Sequence, residues 1–65
     1  MQLLIERESD ADGVRFYWSL AGEDGSIFKA SARHFESADD AECDARKNDQ
    51  REPSRVRTVE LRAGR

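Results

Sequence analysis

Apolar and polar positions alternate with a period of two through Val14-Arg15-Phe16-Tyr17-Trp18-Ser19-Leu20, the pattern of a strand with one buried face. This stretch holds the only Trp and the only Tyr, so it predicts the organising strand of a sheet, over about 14–21. Upstream, Leu3-Leu4-Ile5-Glu6-Arg7-Glu8 passes from apolar to charged and predicts a first strand over about 2–8. Ser9-Asp10-Ala11-Asp12-Gly13 joins the two as a turn, with Gly13 free to take positive φ. Gly22-Glu23-Asp24-Gly25 gives a second hairpin signal, because Asp-Gly between β-like runs suits a tight turn or a glycine bulge. A third strand over about 26–33 follows, with Phe28, Ala30 and Ala32 expected on its inward face.

The period then changes. Ser37 stands as an N-cap three residues ahead of an acid, and Asp39, Asp40 and Glu42 precede Arg46 and Lys47 in the order the helix dipole favours. The helix is expected over about 38–49. Its apolar stripe is only Ala38, Ala41 and Ala45, which permits close approach to a sheet but adds little buried area. Pro53 stops it. Arg55 to Arg62 predicts a fourth strand, over about 55–62, placed at a sheet edge or against another subunit because its alternation is imperfect.

These elements amount to one α+β domain over 1–65, a three- to four-stranded antiparallel sheet with one helix on one face and a frayed tail at 63–65. The expected core is Val14, Phe16, Trp18, Leu20, Phe28, Ala38, Ala41 and Ala45. A chain of 65 residues buries only ~60% of its unfolded surface, and small domains often add disulfides, a metal or a partner subunit. Cys43 is the only cysteine, so no disulfide forms within the chain. With His34 it falls short of the four ligands a structural zinc needs. No cofactor is expected. Support from a second copy is, and Leu3, Ile5, Tyr17, Val56, Val59 and Leu61 are the candidate dimer interface.

Charge narrows the function classes. The net charge is −3 with lysine scarce beside arginine, a balance that suits a high-salt cytoplasm or a GC-rich genome. No apolar run reaches the length of a membrane span or a signal core, so a cytoplasmic protein off the membrane is expected. The C-terminal segment departs from the acidic whole: Arg51, Arg55, Arg57 and Arg62 are candidate nucleic-acid contacts, with Tyr17 available for stacking. Overall acidity and the lack of an RNA-recognition signature weigh against that role, and charge guarding an edge strand accounts for the same arginines. His34 and Cys43 do not make a catalytic arrangement by composition alone. Asp10-Ala11-Asp12-Gly13 lacks the later glycine and glutamate of a calcium loop. Gly22-Glu23-Asp24-Gly25 would repel a phosphate. An enzyme is not expected.

The order Trp18-x-Leu20, Asp24-Gly25-x-Ile27, Ala30-Ser31, Phe35-x-Ser37 and an alanine-rich helix resembles the YegP-like family of small proteins of unknown function. The likeness spans about Phe16 to Asn48. His34 replaces the family's glycine before the aromatic, Phe16 and Phe35 stand where it has tyrosine, and the helix lacks its larger aliphatics. The resemblance implies a strand–strand–helix unit, duplicated in tandem or paired as a homodimer. With one copy in this chain it implies pairing between chains, and it carries over no catalytic residues.

Overall fold

The structure, a computed structural model, describes the backbone of residues 1–62 and the side chains of residues 1–61. Its elements are β1 (Gln2–Asp10), β2 (Gly13–Ala21), β3 (Ile27–Ala30), α1 (Ala38–Asn48) and β4 (Arg55–Arg62). They build one four-stranded sheet in the order β3-β2-β1-β4, with α1 packed across β2 and β1. The fold is α+β, and the organising strand is an interior one. The expected fraying at 63–65 lies outside the described residues.

The first hairpin is tighter than expected. Only Ala11 and Asp12 lie between the strands, Gly13 takes φ 134°, and Asp10 Oδ1 accepts from the Asp12 N–H at 2.8 Å. The strands therefore pair all the way from Gln2↔Ala21 to Asp10↔Gly13. In the second turn Gly25 takes φ 92°, its N–H bonds Gly22 O at 3.0 Å, and Asp24 accepts from the Ser26 backbone and hydroxyl. A side chain at Gly25 would be forced into a conformation only glycine adopts freely.

One expectation about the sheet is corrected. β4 pairs with β1 in parallel, from Gln2↔Arg55 to Ser9↔Arg62, so the sheet is mixed rather than wholly antiparallel. The reason is connectivity: α1 carries the chain back across the sheet, and a helical crossover returns a strand in the same direction. The return is pinned where the two strands begin, the Ser54 N–H donating to Met1 O at 2.8 Å.

β3 is also shorter than expected, Ile27–Ala30 rather than 26–33. A register shift between Leu20 and Ala21 places Lys29 opposite Leu20 and Ala30 opposite Ser19. A slip of one residue exchanges the two faces, so Lys29, not Ala30, shares the helix side and donates to Asn48 O at 3.2 Å. Beyond Ala30 the chain bends but keeps following β2. Ser31 N–H bonds Trp18 O at 2.9 Å, and Phe16 and Phe35 exchange backbone bonds of 3.0 and 2.7 Å.

The core lies between α1 and one face of β1 and β2. Leu3, Ile5, Trp18, Leu20, Phe35, Ala41 and Ala45 are buried, with Met1, Phe16 and Ala38 partly buried against them. Two expected core residues are not there: Val14 is 42% and Phe28 49% exposed. Val14 sits at the hairpin end of β2, opposite Ser9 and beside the turn, and Phe28 lies on the short edge strand. Two expected interface residues are corrected as well. Leu3 and Ile5 face Leu20 and Trp18 and are spent on the chain's own core, leaving nothing for a partner. Ala41 and Ala45 have almost no exposed surface; their lack of bulk lets α1 lie close on the aromatic strand.

Ser37 caps α1 as expected, its hydroxyl accepting from Asp40 N–H at 3.1 Å. The helix ends one residue before the expected Asp49, which serves as the C-cap and bonds Ala45 O through its N–H at 3.0 Å.

Candidate functional site

Three surface regions bring chemistry-bearing residues together. The first is the sheet face that α1 leaves open. Strand alternation and the pairings place Gln2, Leu4, Glu6 and Glu8 of β1 beside Ala21, Ser19, Tyr17 and Arg15 of β2. Hydrogen bonds tie this face together. Ser19 donates to Glu6 at 2.9 Å, Tyr17 to Glu8 at 3.3 Å, and Arg15 to Glu8 at 3.2 Å and to Asp10. The Asp10 and Glu8 carboxylates raise the Arg15 pKa above its ordinary value, and the Asp12 N–H together with Arg15 lowers that of Asp10. Tyr17, half-buried, is therefore held by its own chain, with its ring edge-on to His34 at 6.5 Å. The three carboxylates here are already held by hydroxyl and guanidinium donors of the same chain, so the face is a laced surface.

The second region is a shallow groove of about 500 Å³ between α1 and the loop before it, lined among others by Arg33, His34, Asp40, Cys43 and Lys47. It brings together the two residues singled out for nucleophilic chemistry, His34 and Cys43, but both are exposed. Acids and bases are mixed along the walls, and Arg33 is drawn away onto the Phe35 ring at 4.6 Å. Among the described residues, no three His, Cys, Asp or Glu side chains gather as a metal ion would require.

Beneath the groove lies the contact the sequence reading missed. Trp18 Nε1 donates to Asp44 Oδ2 at 2.9 Å, fixing the buried indole to the helix. The available signal was chemical: a buried Trp needs an acceptor for its N–H, and the helix over it offers carboxylates on the flank of its alanine stripe. A second unforeseen anchor closes the N-terminus. The Met1 amine and the Ser54 hydroxyl both donate to Glu23, at 2.7 and 2.9 Å, and lower its pKa.

The third region is the β4 edge. β4 has β1 on one side and, among the described residues, no strand on the other. Val56 is 44% and Leu61 37% exposed, and Val59 is half-buried. Of the four arginines proposed for nucleic acid, Arg51, Arg55 and Arg57 have described side chains. Arg51 is bound to Asp49 at 2.7 Å and lies 5.6 Å over the Phe28 ring. Arg55 borders a small recess with Gln2, Glu23 and Ser54. Arg57 is exposed and has no ion-pair partner among the described residues, and the Arg62 side chain lies outside them. No helix among the described residues is long and apolar enough to cross a membrane.

No family model matches this chain, and neither a curated protein nor a solved structure does.

Proposed function

We propose that this domain is a homodimeric protein–protein interaction module of the cytoplasm, with no catalytic role of its own. The observation that carries this reading is the contrast between the two edges of the sheet. β3 is four residues long with a register shift behind it, features that blunt an edge, whereas β4 is eight residues long and pairs with β1 without interruption. A long regular edge is a template for another strand. The small core adds to the case: much of it comes from Trp18, Leu3 and Leu20, and small domains commonly draw support from a partner subunit.

The absence of a catalytic role rests on the exposure of His34 and Cys43, since nucleophile and base work best in a water-excluded site. The resemblance to the YegP-like family, proposed on the run from Phe16 to Asn48, points the same way, because a single unit of that kind implies pairing. Nucleic-acid binding through Arg55 and Arg57 is the second reading, favoured by their exposure on β4 and opposed by the acidic chain around them. Light scattering on the eluting peak of a sizing column separates self-association from its absence. A titration with single-stranded RNA at several salt concentrations separates the second reading, which requires affinity falling steeply with salt.

A further inference from the structure

We infer that the partner is a second copy of this chain, joined β4 to β4 in antiparallel fashion about a twofold axis at Val59, giving one continuous eight-stranded sheet. The inference rests on the self-association reading and specifies its interface.

Geometry restricts the options first. A twofold axis that extends a sheet edge to edge stands perpendicular to the sheet, so both open faces lie on the same side. Residues directly opposite in an antiparallel pair point to the same face, so the axis lies between a residue and its own copy in the partner and not between two successive positions. Arg55, Arg57, Val59 and Leu61 align with Gln2, Leu4, Glu6 and Glu8 on the open face, while Val56, Thr58 and Glu60 align with Leu3, Ile5 and Arg7 on the helix side.

Charge then selects among the registers, because like charges directly opposite are destabilising. An axis at Arg57 sets that residue against the partner's Arg57. An axis at Glu60 opposes two glutamates, and one at Val56 sets Arg55 against the partner's Arg57. Axes at Thr58 and Val59 oppose no like charges. With the axis at Thr58, the two Arg57 side chains become diagonal neighbours, and neither has a carboxylate partner within its own chain among the described residues. With the axis at Val59, the diagonal neighbours are the two Glu60 carboxylates, and each is already bound by Arg7 of its own chain at 3.1 Å.

The Val59 axis also places apolar groups where they are useful. Val59 meets the partner's Val59, a β-branched pair at the centre. Leu61, 37% exposed in the single chain, is covered by the aliphatic stem of the partner's Arg57, whose guanidinium reaches past it to water. α1 packs over β2 and β1 and not over β4, so the helices stand clear of the joint. Each arginine on this edge then sets the register and does not block pairing.

The test places single cysteines along β4 in a Cys43→Ser background. Opposed residues on paired strands have Cβ atoms about 4.5–5.5 Å apart, within a small adjustment of disulfide geometry. Val59→Cys is expected to oxidise to a covalent dimer as its main product in dilute solution, and Thr58→Cys to remain monomeric on a non-reducing gel. Preferential cross-linking at Thr58→Cys overturns the register. Cross-linking at neither, with the chain still dimeric by light scattering, overturns the β4 joint and leaves self-association standing. A monomer at every concentration overturns both. If the cysteine variants fail to fold, a mixture of isotope-labelled and unlabelled natural chain decides: contacts between Val59 methyl groups of different chains support the joint, and their absence from a dimer refutes it.

Discussion

The Trp18–Asp44 bond offers a sharp test of how the sheet and helix are locked together. Trp18 is 2% exposed, and the only polar atom of its side chain donates to Asp44 Oδ2 at 2.9 Å. Asp44→Ala removes the acceptor and leaves the indole N–H in a largely dry place. A hydrogen bond to a charged group contributes about 1.5–3 kcal/mol. Asp44 is partly exposed, so water repairs some of the loss and the lower end, about 1.5 kcal/mol, applies. For a domain of this size that corresponds to a fall in melting temperature of about 6–12 °C. Asp44→Asn keeps an oxygen in the same place and should cost under about 1 kcal/mol. In a Trp18→Phe background, Asp44→Ala should cost almost nothing, since the donor has gone. Urea unfolding followed by circular dichroism, at one fixed protein concentration, measures all five chains. Equal costs of Asp44→Ala in the two backgrounds, or a cost within about 0.5 kcal/mol of zero in the natural one, would refute the anchoring role.

Other expectations follow from burial and charge. Leu3→Ala, at a fully buried position facing Leu20, should cost about 2–5 kcal/mol, whereas Phe28→Ser on the exposed edge should stay within about 0.5 kcal/mol; similar urea midpoints would contradict the placement of the core. Ala41→Leu, at a position with no exposed surface, should cost about 1–3 kcal/mol through overpacking against the sheet, and a stabilised variant would show that the helix has room to spare. Asp10, Glu23, Asp24 and Asp49 have pKa values lowered below their ordinary 3.8–4.5, by hydrogen bonds from Asp12, the N-terminal amine, Ser26 and Arg51 respectively. A depressed folded-state pKa contributes stability that is complete above the unfolded value and lost as pH falls through the folded one. Urea midpoints should therefore hold steady near neutrality and decline below about pH 4.5, less so in Asp49→Asn; an unchanged midpoint under acid would contradict these contacts.

Much of the sheet was legible because its signals are local. The alternation around Trp18, the two glycine turns and the Ser37 cap each depend on residues a few positions apart. What was not legible depends on where the chain goes afterwards. Nothing within Arg55 to Arg62 tells whether it lies parallel or antiparallel to β1; that is decided by the crossover through α1. The face of β3 was misjudged because the register shift sits in the pairing of two strands and not in the pattern of one. Leu3 and Ile5 belong to the chain's own core and not to a partner, because an apolar stretch marks what is buried without saying what buries it. The candidate surfaces were legible in part. The exposure of Val56 and Leu61 and the half-burial of Val59 suit an interface, while Tyr17 is held by Glu8 across the first hairpin, and Arg51 by Asp49 only two residues away.

The most direct test of the central claim is the mass of the natural chain in solution, measured by light scattering as it elutes from a sizing column over a wide range of loading concentrations. The account predicts a species of twice the 7.4 kDa chain mass, dissociating only on strong dilution. A well-folded species that keeps the single-chain mass at every concentration would contradict it.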